Sequence, residues 1–222
     1  MKMTSMRWLA TGVLASAATL ACAQDLKDIT LHSPRTEGGK PLMQVLKDRK
    51  SDRAFSAKPL PLQVVADLLW AAAGINRPES GKRTAPSAMN WQEIEVYAVM
   101  EDGAYLYDAK ANKLLAVAKG DLRKLAGKQP FVAMAPLNLV YVADASKIKG
   151  GSAEDQDLYS GADTGFISEN VYLFCASEGL ATVVRGSVDR PALAKALKLP
   201  ETMKIMLAQT IGYPANPSVK AP

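Results

Sequence analysis

Apolar residues recur along this chain in two rhythms, and the helical one is clearest between Leu62 and Ala73. Val65, Leu68, Leu69 and Ala72 fall on one face of a helix that begins after Pro61 and stops at Gly74, a residue suited to a left-handed cap. A shorter helical pattern follows Pro41, where Leu42, Val45, Leu46 and Arg49 recur at i, i+3, i+4 and i+7 and carry Arg49 to the helix end. The two-residue period of a strand appears next. Ile94, Val96, Ala98 and Met100 alternate with Glu93, Glu95, Tyr97 and Val99. Glu101-Asp102-Gly103 turns that strand into Ala104–Asp108, with a third strand at Leu114–Val117.

Leu137–Ala143 is almost wholly apolar, as a central buried strand would be, and Phe166–Ser177 reads as a helix apolar on most sides and ended by Gly179. Ala181–Arg185 and Lys204–Gly212 predict further strands, with a helix at Pro191–Leu197 between them. Residues 75–89, with Pro78, Gly81 and Pro86, read as a polar loop. Strands and helices interleave without a regular βαβ beat, so the expected class is α+β, a mostly antiparallel sheet packed by helices.

Composition narrows the chemistry. The chain has 222 residues, 48% of them hydrophobic and 22% charged, which suits one globular domain. A net charge of +5 serves anionic ligands but falls short of a nucleic-acid-binding stripe. Lys2 and Arg7 precede an uncharged run from Trp8 to Ala23 that ends in small residues, which reads as a secretory signal peptide over residues 1–23. The protein is therefore expected outside the cytoplasm, in the periplasm, with no stable membrane insertion once the leader is cleaved; lipidation at Cys22 is the alternative fate of that segment. Cys22 leaves with the leader, so Cys175 has no disulfide partner and is expected to be buried. Residues 24–40 read as an irregular arm, 41–214 as the domain and 215–222 as a tail. His32, the only histidine, lies in the arm, which argues against a Ser-His-Asp triad and against a Cys/His zinc cage.

No Gly-x-Gly and no Walker loop occurs, so neither dinucleotide fingerprint nor P-loop chemistry is supported. The run Asp155, Asp157 and Gly161 misses the calcium-loop spacing and reads as a solvated loop. Three segments remain. Arg49-Lys50-Ser51-Asp52-Arg53 offers two guanidinium forks and a hydroxyl, donors that suit a phosphate monoester, although a solvated helix end would also carry cations. Residues 83–92 contain Pro86, Ser87, Ala88, Asn90 and Gln92; the two amides suit the alternating edge of a flat heterocycle, and the bland alternative is a loop that caps itself. Asp163-Thr164-Gly165 reads as a helix start with exposed N–H groups, and Arg185-Gly186 lies beyond that helix's end.

In combination these segments resemble the nitroreductase family. Arg-x-Ser-x-Arg at 49–53, Leu-Leu-Trp-Ala-Ala-x-Gly-x-Asn-Arg-Pro at 68–78, Pro-Ser-Ala-x-Asn-x-Gln at 86–92 and Gly127-Lys128-Gln129-Pro130-Phe131 follow in the family's order. The likeness runs from about Pro41 to Pro214. It is closest to the branch of azoline-oxidising dehydrogenases, because Asp163-x-Gly165, Glu169-Asn170, Leu173 and Gly179-Leu180 continue the pattern.

The resemblance implies a homodimer with FMN in clefts at the subunit interface. Arg49, Lys50, Ser51 and Arg53 would hold the phosphate and the pyrimidine side, and Pro86, Ser87, Ala88 and Asn90 would line the ring. Backbone at Gly165 would face the reactive N5 atom, with Arg185 and Gly186 closing the opposite flank. It further implies hydride transfer from a small-molecule donor to an acceptor such as a nitroaromatic or quinone, with no catalytic acid or base assigned. A basic residue that the family carries after its last strand is missing, and Lys220 is the only late substitute. An exported protein that keeps the cleft only to bind flavin or another planar anion is the competing class.

Overall fold

The computed structural model of the protein describes residues 25–215. The expected leader, Cys22, Lys220 and all but the first residue of the 215–222 tail lie outside the described residues.

Seven strands form one sheet: β1 (Ile29–Thr30), β4 (Ile94–Val99), β5 (Gly103–Asp108), β6 (Lys113–Lys119), β7 (Leu137–Asp144), β8 (Ala181–Arg185) and β9 (Met203–Gly212). They lie in the order β1-β6-β5-β4-β7-β9-β8, and every neighbouring pair is antiparallel. Around them pack α1 (Leu42–Asp48), α2 (Leu62–Ala73), α3 (Phe131–Met134), α4 (Ala153–Glu178) and α5 (Arg190–Ala196). The α+β class and the antiparallel sheet are as expected from the sequence.

Both faces of the sheet are covered. Val96, Ala98, Leu139 and Tyr141 pack on one side with Leu68 and Leu69 of α2 and Val171 of α4. Tyr97, Val99, Val140, Val142 and Ile205 face the other way, against Leu193 of α5. All eight residues of β7 are consequently buried, as its apolar run requires. Double coverage also buries Glu93, which lies just ahead of β4 and has no exposed surface.

Four expectations change. The arm at 24–40 contributes β1, which pairs with β6, and places Leu31 in the core. Residues 75–89 include a small hairpin of β2 (Ile75–Arg77) and β3 (Lys82–Arg83). Gly74 is extended, with φ −71°, so it is no left-handed cap; a Cβ there would lie 2.4 Å from Trp70 Cδ1, and close approach is what excludes a side chain. The fourth change concerns α4, a helix of 26 residues that begins thirteen positions before Phe166. Ser152 and Asp155 close a reciprocal cap at its start, so the acidic run is helix, not loop. At its far end Gly179 adopts the left-handed conformation, φ +69°, as the sequence predicts.

Candidate functional site

Arg49–Arg53 leaves the end of α1 and is tied to the sheet edge by Asp52, whose N–H donates to the Thr182 carbonyl at 2.9 Å. The side chains of this segment meet α4 at Tyr172. The Tyr172 hydroxyl lies 2.8 Å from Ser51 Oγ and accepts from the Val184 N–H at 2.9 Å. With Val184 also donating into the phenol, the tyrosine oxygen is fixed in place, and the Ser51 hydroxyl is held by a bond in which either oxygen can donate. The Arg49 guanidinium sits 5.3 Å from the centre of the same ring. Among the described residues neither Arg49 nor Arg53 forms a salt bridge, and Lys50 is only loosely paired with Asp52 at 3.6 Å. One guanidinium without an acidic partner, Arg49, thus lies on the ring that holds the Ser51 hydroxyl, and a second, Arg53, follows two residues later in the chain, a donor set suited to an anion. Lys50, Asp52 and Tyr172 also line an adjoining open cleft of about 1070 Å³, with Lys58, Thr182 and Tyr213 on its other walls.

The second segment forms a tight turn. Met89, Asn90 and Gln92 all have positive φ, 51°, 55° and 50°. Such conformations cost of order 1 kcal/mol each for non-glycine residues and persist only where surrounding bonds enforce them. Those bonds are present: Ser87 Oγ accepts from the Gln92 N–H at 2.8 Å, Asp163 Oδ2 accepts from the Ala88 N–H at 2.9 Å, and Arg83 Nε donates to Gln92 Oε1 at 2.9 Å. Asn90 is exposed, and its side-chain oxygen accepts from Gln92 at 3.1 Å. Behind the turn a cavity of about 20 Å³ is lined by Arg83, Ser87, Glu93 and Asp163.

The third segment is not as expected. Gly165 lies in the interior of α4, so its N–H is no open helix terminus, although its surface is exposed. Arg185 points inward. Its guanidinium donates to the Ala126 carbonyl at 2.7 Å, to Asn138 Oδ1 at 3.0 Å and to Thr210 Oγ1. Burial without a carboxylate lowers its pKa to about 10, and the Phe131 ring lies 5.9 Å away. Gly127 is glycine because a Cβ there would strike the Arg185 guanidinium. Arg185 thus braces the β8 edge and does not flank an open site, while Gly186 is exposed beside it.

Sequence reasoning missed Tyr172, Glu93 and the clamping role of Asp163. It also expected the three segments to form one site, whereas within one protomer the first two lie apart along α4. The Arg49 cluster meets α4 at Tyr172 and the Ser87 turn meets it at Asp163, nine positions earlier, or about 13 Å along the helix axis. The apolar stripe of α1 is partly unspent: Val45 is buried, whereas Leu42, Met43 and Leu46 are exposed, as are Leu158, Tyr159 and Phe166 on α4. Among the described residues no cluster of acidic, histidine or cysteine side chains could hold a metal, and no helix is long and apolar enough to cross a membrane.

Comparison with known proteins agrees with this geometry. The nitroreductase family profile matches residues 46–213. A solved nitroreductase homologue from Ralstonia eutropha is 43% identical and superposes with a TM-score of 0.82 over 86% of this chain and 91% of its own. A nitroreductase homologue of Methanocaldococcus jannaschii is 29% identical over 170 residues, 72% of this chain and 85% of its own length. An FMN reductase [NAD(P)H] of Bacillus subtilis is 24% identical over 195 residues, covering 82% and 69%. The chain belongs to the nitroreductase family.

Proposed function

We propose that this protein, an FMN-dependent oxidoreductase of the nitroreductase family, passes electrons from a small-molecule donor to a small acceptor such as a nitroaromatic or a quinone. The observation that carries the reading is the anion seat at α4, where Arg49, without an acidic partner, shares the Tyr172 ring with a Ser51 hydroxyl held by the same tyrosine, and Arg53 adds a second unpaired guanidinium two residues along. These residues suit the phosphate of FMN, with Lys50 adding positive potential. Pro86, Ser87, Ala88 and Asn90 suit the ring, because the turn is strained, braced from behind and presents an amide outward. When bound, FMN supplies two-electron hydride transfer, and the protein's task is to bind and orient it. Gly165 and Gly186 offer exposed backbone for the remaining contacts.

Two separate cavities and two exposed apolar helix faces support a homodimer in which the anion seat of one protomer faces the ring turn of its partner. The order of motifs from Asp163 to Leu180 supports a finer kinship with azoline-oxidising dehydrogenases, and the leader over residues 1–23 supports export to the periplasm. N-terminal sequencing of the mature protein should then begin at Gln24.

Titration of the apoprotein with FMN, followed by anaerobic reduction and reoxidation with nitroaromatics and quinones, tests the activity. A protein that retains no FMN, or retains it and cannot be reduced by any donor, refutes the reading.

A further inference from the structure

Behind the ring turn lies a carboxyl group that the proposed reaction leaves unused. Glu93 is wholly buried at the start of β4. Its Oε1 has no hydrogen-bond partner, while its Oε2 accepts a long bond from Ser87 Oγ at 3.4 Å; the Ser160 hydroxyl and Glu93's own backbone N–H are the other donors at the carboxyl. Ser87 and the next residue, Ala88, are thus each held by a buried carboxyl, Glu93 on one side and Asp163 on the other.

A buried carboxylate normally satisfies both oxygens and gains a cationic partner, whereas Glu93 has only neutral donors and one unpartnered oxygen. Asp163, from α4, is an anion; Ser160 of the same helix offers a hydroxyl. Arg83, from β3, is the cation that lines the cavity, but its Nε is held by Gln92 and its Nη1 by the Ala73 carbonyl at 3.3 Å. Burial first lowers the pKa of Arg83, against which Tyr107, Glu95 and Asp108 act; Glu93 is not among its electrostatic partners. Asp144 of β7 gives its backbone N–H to the Glu93 carbonyl and turns its carboxylate to Ser146. No counter-ion is left for Glu93. Burial first, and the Asp163 charge after it, raise its pKa above the ordinary glutamate value.

Building on the FMN reading, we propose that Glu93 is a positioning residue for the flavin ring, that it works as the neutral acid, and that its ionisation releases the Ser87–Asn90 turn. An anion created beside Asp163 would repel the carboxylate that holds Ala88, and the strained turn depends on that bond. The sign follows. The raised pKa means that the folded state favours the proton, so the turn is intact at low pH and is lost as pH rises through the Glu93 ionisation.

The test is FMN affinity, read by quenching of flavin fluorescence between pH 5 and 9 for wild type and Glu93→Gln, which is neutral throughout. Wild type should bind with constant Kd at low pH and then weaken by up to about tenfold per pH unit. Glu93→Gln should keep the low-pH affinity across the range. Identical profiles for the two proteins overturn the proposal. Infrared spectra of wild type supply a measurement independent of variant and ligand: the carbonyl stretch of a protonated carboxylic acid should be present at neutral pH and vanish on alkaline titration. Its absence at neutral pH overturns the proposal even if the variant fails to fold. Failure of FMN to bind at any pH, with the infrared band present, defeats the FMN reading instead.

Discussion

Tyr172→Phe isolates one oxygen atom on which the proposed anion seat depends. The ring stays, so Arg49 keeps its aromatic support, and only the hydroxyl that faces Ser51 at 2.8 Å and Val184 N–H at 2.9 Å is lost. Loss of the Ser51 bond removes about 0.5–1.5 kcal/mol, and a partly buried Val184 N–H left unpaired costs about 1–3 kcal/mol. Because Val184 is only half-buried and water reaches part of that edge, a total near 2 kcal/mol is expected, or a fall in Tm of roughly 4–8 °C for a domain of this size. Thermal denaturation followed by circular dichroism measures it. The same substitution frees Ser51 to rotate and should weaken FMN binding several-fold. Ser51→Ala should do likewise, while the double variant should lose less than the two singles together, by at least about 0.5 kcal/mol. An unchanged Tm with additive losses in affinity would show that Tyr172 neither braces β8 nor orients the serine.

The remaining predictions concern separate parts of the molecule. Arg49→Ala should weaken FMN binding by at least tenfold, about 1.5 kcal/mol for a lost charge-assisted contact, measured by the same fluorescence titration. Gly74→Ala should destabilise the fold by roughly 1–3 kcal/mol in urea, because the new methyl would lie 2.4 Å from Trp70 with backbone behind it. Cys175 is fully buried and burial pushes its thiol pKa well up, so a thiol reagent should label it at neutral pH only as fast as the protein opens. Leu46→Glu, on the exposed stripe of α1, should shift sedimentation from dimer to monomer and weaken FMN binding with it.

Strong periodicity made α2, β7 and β9 legible from sequence, since each of those segments spends its apolar residues on a covered face. The first half of α4 was illegible for the opposite reason. Its buried positions are Ser160, Asp163 and Thr164, and its apolar Leu158 and Tyr159 are exposed, so the pattern of residues 153–165 looks like a loop. The burial of Glu93 was illegible for a related reason: alternation marks a strand but cannot show that the Ser87 turn and α4 cover its polar end. Arg185 looked like a ligand-binding cation because sequence alone cannot show that Asn138, Thr210 and the Ala126 carbonyl, all distant along the chain, converge on it. The Arg49–Arg53 segment was legible as a donor set but not as an oriented one, because Tyr172, which orients it, lies more than a hundred residues away.

Polar burial along α4 explains why one helix serves both halves of the site. A helix packed on a sheet through leucines alone would bury its face and offer nothing to a ligand. Here Asp163 and Tyr172 spend interior positions on polar groups, and each directs its hydrogen-bonding end to a loop that carries the outward-facing chemistry. Both loops are thereby referenced to the same rigid rod. A shift of α4 on the sheet would move the anion seat and the ring turn together, and in the proposed dimer it would disturb both clefts at once. In the proposed dimer, the exposed Leu158, Tyr159 and Phe166 give α4 a surface for a partner as well. Subunit association and cofactor geometry would then act through one element, so that loosening the interface should disturb flavin binding even where no ligand contact is changed.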